Sequence, residues 1–308
     1  MTTYPGRDSG AEWIAREAAT ADAVVVTPYQ PVDKVLARRL KGVKALVIHG
    51  SGHDLVDVDA LSSAGVCVAN APDAIADAVA EHVLALALAS LKNVVTGDRA
   101  VREGAWRGGA APREFLGNML LGRKVGIVGL GRVGSRVAYL FKAVGADVTY
   151  WSRRRKVEVE HALGIRFEDL RTLLMTSDIV VVSVALTPET RGLIGAGELA
   201  LMKDRALLIN VSRGAVVDEE ALVEELRRGR IKAALDVFEE EPLPKGHPLT
   251  KLDNVVLTPH IAGYAYEAIK ETSRSVAELL VAYLSRCEVP PSALNPGVCE
   301  EVCRQPTK

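Results

Sequence analysis

Three of the glycines in the stretch GIVGLGRVGSRVA have the spacing of a phosphate-binding turn. An apolar run, KVGIVG, precedes them and a helical pattern follows, so they would lie between a strand and the N-terminus of a helix. Gly129 permits the tight turn, Gly131 permits close approach of a pyrophosphate, and Gly134 lets the helix pack close to the strand. The pattern predicts a dinucleotide-binding loop, with glycines that serve only a tight turn as the alternative.

The next predicted strand ends in the basic stretch YWSRRRK, residues 150–156. An acid in this position would accept hydrogen bonds from the adenosine ribose of NAD and repel a 2′-phosphate. Ser152, Arg153 and Arg154 instead offer a hydroxyl and two guanidinium groups, which can bind that phosphate. We therefore expect NADP(H) as the cofactor and leave use of NAD open; the alternative is a solvent-exposed charge run.

Four more polar residues follow predicted strands further along the chain: Arg213, Asp236, Glu241 and His260. Because ligands lie at the carboxyl ends of parallel strands, these groups should lie near the cofactor. An arginine is a permanently charged anchor for an anionic substrate, and a carboxylate beside a histidine stabilises the protonated ring that can donate a proton. Each residue alone could equally be structural, but the set is what a dehydrogenase of 2-keto acids needs.

The elements that position these residues follow from two kinds of periodicity. From residue 124 onward, β-branched runs alternate with helical patterns, which predicts a doubly wound parallel sheet. The expected strands are 124–129, 147–151, 178–184, 206–211, 232–237 and 254–258, and the expected helices are 133–143, 168–176, 218–228 and 264–285.

The first hundred residues predict a smaller α/β unit. Its expected strands are 22–28, 44–50 and 66–70, its expected helices are 10–20, 33–41 and 57–64, and a long apolar helix over 74–96 leads out of it. The proline-rich stretch CEVPPSALNPG should return to this unit as an irregular strap. We therefore expect a substrate domain at 1–95 and 285–308, interrupted by a dinucleotide-binding domain at 96–284.

Composition excludes several classes of protein. The chain has 308 residues, 48% of them hydrophobic, and a formal net charge of −1, so we expect no binding to nucleic acid or to a membrane. The first residues lack the pattern of a secretory signal, and a cytoplasmic enzyme is the expectation. Cys67 lies in an apolar run and is expected to be a small buried thiol. Cys287, Cys299 and Cys303 lack a nearby fourth ligand, so no metal site is expected, and a disulfide within the tail is the alternative.

Several motifs in this order resemble the D-isomer-specific 2-hydroxyacid dehydrogenases, over about residues 44–290. Besides the glycine loop, the motifs are LTPETRGLI (186–194), INVSRGAVVDEEAL (209–222), ALDVFEEEPLP (234–244) and LDNVVLTPHIAG (252–263). NAPDAIADAVAEHVLAL (70–86), with Asp73 where many members have glycine, is similar to the glyoxylate and hydroxypyruvate reductases within that family.

The resemblance implies a role for each candidate. Arg213 would bind the carboxylate and carbonyl of the substrate, His260 would be the general acid/base, and Glu241 would be its partner, with Glu239 and Glu240 as rivals. Asp236 would hold the nicotinamide carboxamide. Further cofactor contacts are implied at Arg132, Val133, Thr187, Pro188, Val211, His260 and Gly263.

The small domain is also given a role by the resemblance. The stretch HGSGHDLVD (49–57) is similar to the loop whose backbone amides receive the substrate carboxylate, which implies substrate binding by Ser51 and Gly52. The family has an additional strand and helix before residue 22, so this domain is expected to be abridged or completed by a partner subunit. Ile48 and His49 stand where phosphoglycerate-type members carry a basic residue, so a phosphorylated substrate is not expected.

Together these observations predict an α/β fold in which a doubly wound (Rossmann) domain is inserted in a smaller flavodoxin-like domain. The expected function is reduction of a small 2-keto acid, such as glyoxylate or hydroxypyruvate, by NADPH in a homodimeric enzyme. One alternative is an NAD-linked D-3-phosphoglycerate or D-lactate dehydrogenase. Another is a non-catalytic dinucleotide sensor similar to the corepressors that share this fold.

Overall fold

The computed structural model describes residues 10–106 and 115–304. Strands and helices alternate along most of this length, as expected for an α/β protein. The strands are β1 (Ala23–Val26), β2 (Ala45–Ile48), β3 (Cys67–Asn70), β4 (Lys124–Val128), β5 (Asp147–Trp151), β6 (Arg166–Phe167), β7 (Ile179–Val182), β8 (Leu207–Asn210), β9 (Lys232–Leu235) and β10 (Val255–Leu257). The helices are α1 (Gly10–Glu17), α2 (Lys34–Arg39), α3 (Val58–Ser63), α4 (Ala76–Leu91), α5 (Val94–Arg102), α6 (Arg132–Ala143), α7 (Val157–Leu163), α8 (Leu170–Thr176), α9 (Ala196–Leu201), α10 (Glu219–Arg227), α11 (Tyr266–Arg286) and α12 (Pro296–Arg304).

These elements form two compact units. Unit 2 is residues 76–264, and unit 1 combines the residues before and after it, so the larger unit is inserted in the smaller one as predicted. The predicted boundaries, after residues 95 and 284, lie too late in the chain. Helix α4 was predicted in the smaller unit but belongs to unit 2, and α11 was predicted in the larger unit but belongs to unit 1. The reason is packing: α4 packs on α6 and on strands β8 to β10, and α11 packs on β2.

Unit 1 is built on a parallel sheet in the order β1-β2-β3. Each strand lies within one of the predicted runs. The proline-rich segment packs along the edge of β3, as expected: Leu294 N donates to Val68 O at 2.8 Å, and Asn295 Oδ1 accepts from Val68 N at 2.7 Å. This segment therefore satisfies backbone groups that an open strand edge would leave exposed.

The cysteines of unit 1 form two disulfides, Cys67–Cys299 and Cys287–Cys303. The expectation that Cys67 is a free buried thiol is therefore wrong. Helix α12, which was not predicted, packs on β3 and brings the Cα atoms of Cys67 and Cys299 to 4.5 Å from each other. The second bridge is the disulfide within the tail that the sequence left open.

Unit 2 is built on a seven-stranded parallel sheet in the order β10-β9-β8-β7-β4-β5-β6. Six of these strands lie within predicted runs, and the two-residue β6 was not predicted. The central strands are buried on both faces, as in β7, where all four residues of the sequence IVVV are inaccessible to solvent. Helices cover both faces of such a sheet, which is the doubly wound arrangement expected from the sequence.

The long helix predicted over 74–96 is divided in the structure. Helix α4 ends at Leu91, and α5 begins after Asn93, whose left-handed backbone has a φ of 53°. Asn93 also donates from Nδ2 to Leu116 O at 3.3 Å. Within residues 10–106 and 115–304, no single helix has the length and hydropathy of a membrane span, although α4 and α5 together reach them with a bend of 63°.

Candidate active site

The carboxyl ends of six strands in unit 2 form one row. The last residues of these strands are hydrogen-bonded neighbours in register: Val128 with Trp151 and Val182, Val182 with Asn210, Asn210 with Leu235, and Leu235 with Leu257. The predicted site residues of this unit follow directly after these positions. The register therefore brings residues from distant parts of the chain to one edge of the sheet.

The glycine loop after β4 has the shape that a dinucleotide phosphate requires. Gly129 has a φ of 103°, and a Cβ at Gly134 would overlap the carbonyl oxygen of Gly129. Ser183 Oγ donates to Gly129 O at 2.7 Å, a support that was not predicted. Apart from the chain neighbours of Gly131, no atom of the described residues lies within 4 Å of a Cβ placed there, so the backbone that opens α6 faces free space. The loop thus fits the pyrophosphate of NAD(P) at a helix N-terminus, where Arg132 and Val133 are the first helical residues.

The basic turn after β5 lies beside this loop, because Gly129 N donates to Trp151 O at 2.8 Å. Ser152 Oγ donates to Arg154 O at 2.6 Å, which closes the turn on itself. Arg153 and Arg154 are exposed. Two cations are therefore presented at the position where the sequence predicts recognition of a 2′-phosphate, and the contact itself stays a prediction.

The loop after β7 carries Thr187 and Pro188. Thr187 N donates to Thr190 Oγ1 at 2.7 Å, and this buried hydroxyl donates to Ala185 O at 2.6 Å, so Thr190 fixes the loop. A hydrogen bond from Thr187 is the main cause of the lowered pKa of the Glu189 carboxyl, and the charge of Arg153 makes the smallest contribution.

His260 and Glu241 form a hydrogen-bonded pair. His260 Nδ1 and Glu241 Oε2 are 2.6 Å apart, and Glu241 Oε1 accepts from Phe238 N at 3.0 Å. Burial by itself raises the pKa of the Glu241 carboxyl, but the hydrogen bonds from His260 and Phe238, with the charges of His260 and Arg213, outweigh it and leave the pKa below its ordinary value. Glu241, rather than Glu239 or Glu240, is therefore the partner of His260, and its carboxylate is ionised at neutral pH.

Asp236 fixes the backbone that carries His260. Its carboxylate is fully buried and accepts hydrogen bonds from Thr258 Oγ1 at 2.6 Å, Ile261 N at 2.9 Å and Ala262 N at 2.9 Å. These bonds hold both sides of His260 and the segment that leads to Gly263. The structure thus shows a supporting role for Asp236, and its contact with the nicotinamide carboxamide stays a prediction.

His82 on α4 reaches the same cluster. Its Nε2 lies 3.1 Å from Thr258 Oγ1, and because that hydroxyl donates its one hydrogen to Asp236, the ring nitrogen must be the donor to it. Neither His82 nor Thr258 was predicted. Their only sequence signal is that Thr258 stands two residues before His260 at the end of a strand.

Arg213 lies after β8, where the side chain of Asn210 shapes the turn. Asn210 Nδ2 donates to Arg213 O at 2.9 Å, and Asn210 Oδ1 accepts from Ser212 N at 3.0 Å. Val211 lies within this turn and is partly exposed. Gly214 packs against the carbonyl group of Phe238, whose amide binds Glu241, so the turn that carries Arg213 lies against the loop that carries Glu241. The charge of Arg213 makes a small contribution to the lowered pKa of Glu241. A fixed cation and a histidine with a carboxylate partner can together bind an anionic substrate and donate a proton to it.

Ser51 and Gly52 belong to unit 1, in the loop after β2. Asn70 Nδ2 donates to Ser51 O at 2.8 Å, and Gly50 adopts a φ of 147°. In the part of the chain that the structure describes, the amides of Ser51 and Gly52 donate to no protein acceptor. Such amides suit an anion, and substrate binding by this loop stays a prediction.

Comparisons with known proteins identify similar sequences and structures. The family described as D-isomer specific 2-hydroxyacid dehydrogenase, NAD binding domain, matches residues 84–262. The chain is 43% identical over 299 residues to the glyoxylate reductase of Aeropyrum pernix, which covers 96% of this chain and 88% of that protein. It is 39% identical over 271 residues to the D-3-phosphoglycerate dehydrogenase of Archaeoglobus fulgidus, covering 88% of this chain and 51% of that protein. The crystal structure of the TT0316 protein from Thermus thermophilus has a TM-score of 0.87 and 36% identity, covering 95% of this chain and 92% of that chain.

Proposed function

Since this chain belongs to the D-isomer specific 2-hydroxyacid dehydrogenase family, we propose that it reduces a small 2-keto acid, glyoxylate or hydroxypyruvate, to the D-2-hydroxy acid with NADPH. The observation that carries this proposal is the His260–Glu241 pair at 2.6 Å, with Arg213 on the adjoining turn that packs against the Glu241 loop. The same edge of the sheet carries the glycine loop for the dinucleotide. Similarity to a glyoxylate reductase over nearly the whole chain supports the choice of substrate.

Each side chain has a distinct task in this reaction. A dinucleotide held at the glycine loop of residues 129–134 would supply the hydride that reduces the carbonyl carbon. Arg213 binds the carboxylate and orients the carbonyl, and His260 donates a proton from Nε2 to the carbonyl oxygen as negative charge develops on it. Glu241 holds Nδ1, which fixes the ring orientation and stabilises the imidazolium before the proton leaves.

The preference for NADPH is supported by the turn at residues 152–154. An acid at this position would repel a 2′-phosphate, whereas Arg153 and Arg154 are exposed cations beside the glycine loop. Guanidinium groups bind phosphate through charge-assisted hydrogen bonds, which are stronger than neutral ones. Discrimination between NADPH and NADH should therefore depend on these two residues.

A kinetic panel tests the proposal. Glyoxylate, hydroxypyruvate, pyruvate and 3-phosphohydroxypyruvate would each be measured with NADPH and with NADH. We expect the highest kcat/KM for glyoxylate or hydroxypyruvate, and a preference for NADPH of about 10- to 100-fold. The double variant Arg153→Ala/Arg154→Ala should raise KM for NADPH and leave KM for NADH nearly unchanged.

The matched control is Arg227→Ala/Arg228→Ala, which removes an adjacent exposed pair from α10. It should leave both KM values unchanged. Preference for 3-phosphohydroxypyruvate would favour a phosphoglycerate dehydrogenase, and preference for NADH would contradict the cofactor proposal. A protein that binds the dinucleotide and shows no turnover would be a sensor instead.

We also propose that the enzyme is a homodimer. The supporting observation is the number of large apolar side chains that are exposed in α5 and in the described residues between α5 and β4, a segment in which Leu116 O accepts from Asn93 Nδ2. This group, called the junction patch, consists of Val94, Val95, Val101, Trp106, Leu116, Met119 and Leu121. Exposed apolar groups of this kind commonly mark an interface between proteins.

A further inference from the structure

A buried carboxylate lies behind the basic turn. Glu160 on α7 is 7% exposed and accepts hydrogen bonds from Arg155 Nε and Nη2, each at 2.8 Å, and from Tyr150 Oη at 2.6 Å. These hydrogen bonds, from Arg155 first and then from Tyr150, outweigh burial and lower the pKa of Glu160 to about 2. A carboxylate that is charged and bonded from both sides is a fixed point in the structure.

Tyr150 connects this fixed point to the turn. It is the penultimate residue of β5, its side chain has no exposed surface, and its ring packs edge-on against Phe167 with 5.6 Å between centroids. Its hydroxyl donates to Glu160 and accepts from Lys156 N at 2.7 Å. The far end of the basic turn is therefore tied to the core of unit 2 by a side chain.

The near end of the turn is tied by the backbone, through the bond from Gly129 N to Trp151 O. Only residues 152–155 lie between these two hydrogen-bonded positions. Arg155 is held by Glu160, and its guanidinium lies 5.9 Å from the ring centroid of Phe167. Arg155 is thus used to build the turn. Arg153 and Arg154 are the arginines of this run that remain for a ligand.

We propose that Tyr150, Glu160 and Arg155 are positioning residues for cofactor specificity. They hold residues 152–154 in the shape in which Arg153 and Arg154 bind the 2′-phosphate of NADPH, without contacting that phosphate themselves; Ser152 Oγ donates to Arg154 O and so belongs to the turn rather than to the phosphate site. The inference rests on the proposed preference for NADPH and goes beyond it, because it assigns the discrimination to a buried hydrogen-bond network behind the ligand-binding residues.

The network should favour phosphate binding because it reduces the conformational entropy that the basic turn loses on binding. Two adjacent arginines on a mobile turn lose backbone and side-chain entropy when they bind a phosphate, and a turn fixed in advance has already lost the backbone part. The glycine loop binds the rest of the dinucleotide independently of this network. Loss of the network should therefore weaken recognition of the 2′-phosphate selectively.

Tyr150→Phe is the sharpest test because it removes one hydroxyl and keeps the buried ring. Binding of adenosine 2′,5′-bisphosphate and of 5′-AMP would be measured by calorimetry on the full chain. The dissociation constant of the bisphosphate should rise about five- to tenfold, the effect of one or two lost hydrogen bonds, while that of 5′-AMP changes less than about twofold. KM for NADPH should rise in parallel, with kcat at saturation unchanged.

Tyr283→Phe is the matched control, since this buried tyrosine of unit 1 donates from its hydroxyl to Cys299 O at 3.0 Å. It loses a comparable hydrogen bond outside the dinucleotide unit and should leave the ratio of the two dissociation constants unchanged.

Arg155→Met removes the other hydrogen-bond donor to Glu160, at a side chain that is 61% accessible, and circular dichroism would confirm that the variant is folded. It should give the same selective loss of bisphosphate binding. Its control is Arg166→Met, which removes an equal charge from β6, where an arginine that is 59% accessible pairs with Asp147 at 2.9 Å. Equal losses in the two variants would mean that long-range charge, and not the network, is responsible.

The two proposals fail in different ways. A wild-type protein that binds the bisphosphate no more tightly than 5′-AMP would contradict the NADPH preference itself. A wild-type protein that discriminates, with Tyr150→Phe and Arg155→Met that discriminate equally well, would overturn the positioning role alone.

Discussion

His260 is constrained by its backbone as well as by its side chain. Its φ of 54° is in the left-handed region, which costs a residue other than glycine about 1 kcal/mol or more. The backbone on either side is held by Asp236, and His260 N donates to Thr258 O at 3.0 Å. The main chain of His260 is thus fixed by bonds that do not involve Glu241, and Glu241 orients the ring.

Replacement of Glu241 separates the two constraints. Glu241→Gln should lower kcat on the order of 10²-fold, because the amide has no charge to stabilise the imidazolium while the backbone still places the ring. KM for the keto acid should change little, since Arg213 is unaltered. Steady-state kinetics with saturating NADPH would measure both parameters.

Glu240→Gln is the control, since it removes an equal charge from the adjacent exposed residue and should leave kcat unchanged. The lowered pKa of Glu241 also determines how the free energy of unfolding depends on pH. Its interactions stabilise the fold above the ordinary pKa of a glutamate, and this contribution is lost as the pH falls through the folded pKa. Equal kcat values for Glu241→Gln and Glu240→Gln would contradict the role of the pair.

The residues proposed to perform the chemistry have a clearer sequence signal than those that support them. Arg213, Glu241 and His260 have side chains with distinctive chemistry at the ends of strands, and their order along the chain is specific. Asn210 and Thr258 act through ordinary hydrogen bonds to neighbouring backbone or side chains. Such bonds follow from three-dimensional proximity, which residue type and spacing do not reveal.

At the scale of elements, the turn after β8 and the loop after β9 are packed backbone to backbone. A Cβ at Gly214 would overlap the carbonyl group of Phe238, which begins the loop that carries Glu241. Gly214→Ala should therefore displace both Arg213 and Glu241 and lower kcat/KM on the order of 10²-fold, since displacements of about 1 Å have effects of this size. Circular dichroism would confirm that the variant is folded.

Gly197→Ala is the corresponding control. This glycine lies in α9, and no atom lies within 4 Å of a Cβ placed there. The substitution should leave kcat/KM unchanged and slightly raise the free energy of unfolding, by about 0.4–1 kcal/mol. A Gly214→Ala enzyme with full activity would show that the two loops are not coupled.

Elements with strong periodicity were predicted, and several short elements were missed. The six longer strands of unit 2 are mostly apolar and rich in β-branched residues, which identifies buried parallel strands. Strand β6 has two residues, too few for a periodic signal, and the short helices α7 and α9 were also not predicted. The break at Asn93 depends on one left-handed residue within an apolar run, and α12 was obscured by the proline and glycine at its start.

At the scale of the whole molecule, the junction patch predicts self-association. Leu116→Asp, at a side chain that is 79% exposed, should shift the protein from dimer to monomer because a charge at the interface would be desolvated. Analytical ultracentrifugation would measure the change. Val35→Asp, at an apolar residue of α2 that is also exposed, is the control and should leave the mass unchanged.

A wild-type protein that sediments as a monomer would contradict the proposed homodimer. A dimer that is unaffected by Leu116→Asp would place the interface elsewhere.

The insertion of unit 2 between the two parts of unit 1 has a consequence for synthesis on the ribosome. Residues 76–264 are contiguous, so the dinucleotide unit has all of its strands once they have been translated. The strands of unit 1 are translated before unit 2. The packing of their sheet is completed only after α11, the segment that covers β3, and Cys299, the disulfide partner of Cys67, have also been translated. The earliest part of the chain to be translated is thus among the last to reach its final structure.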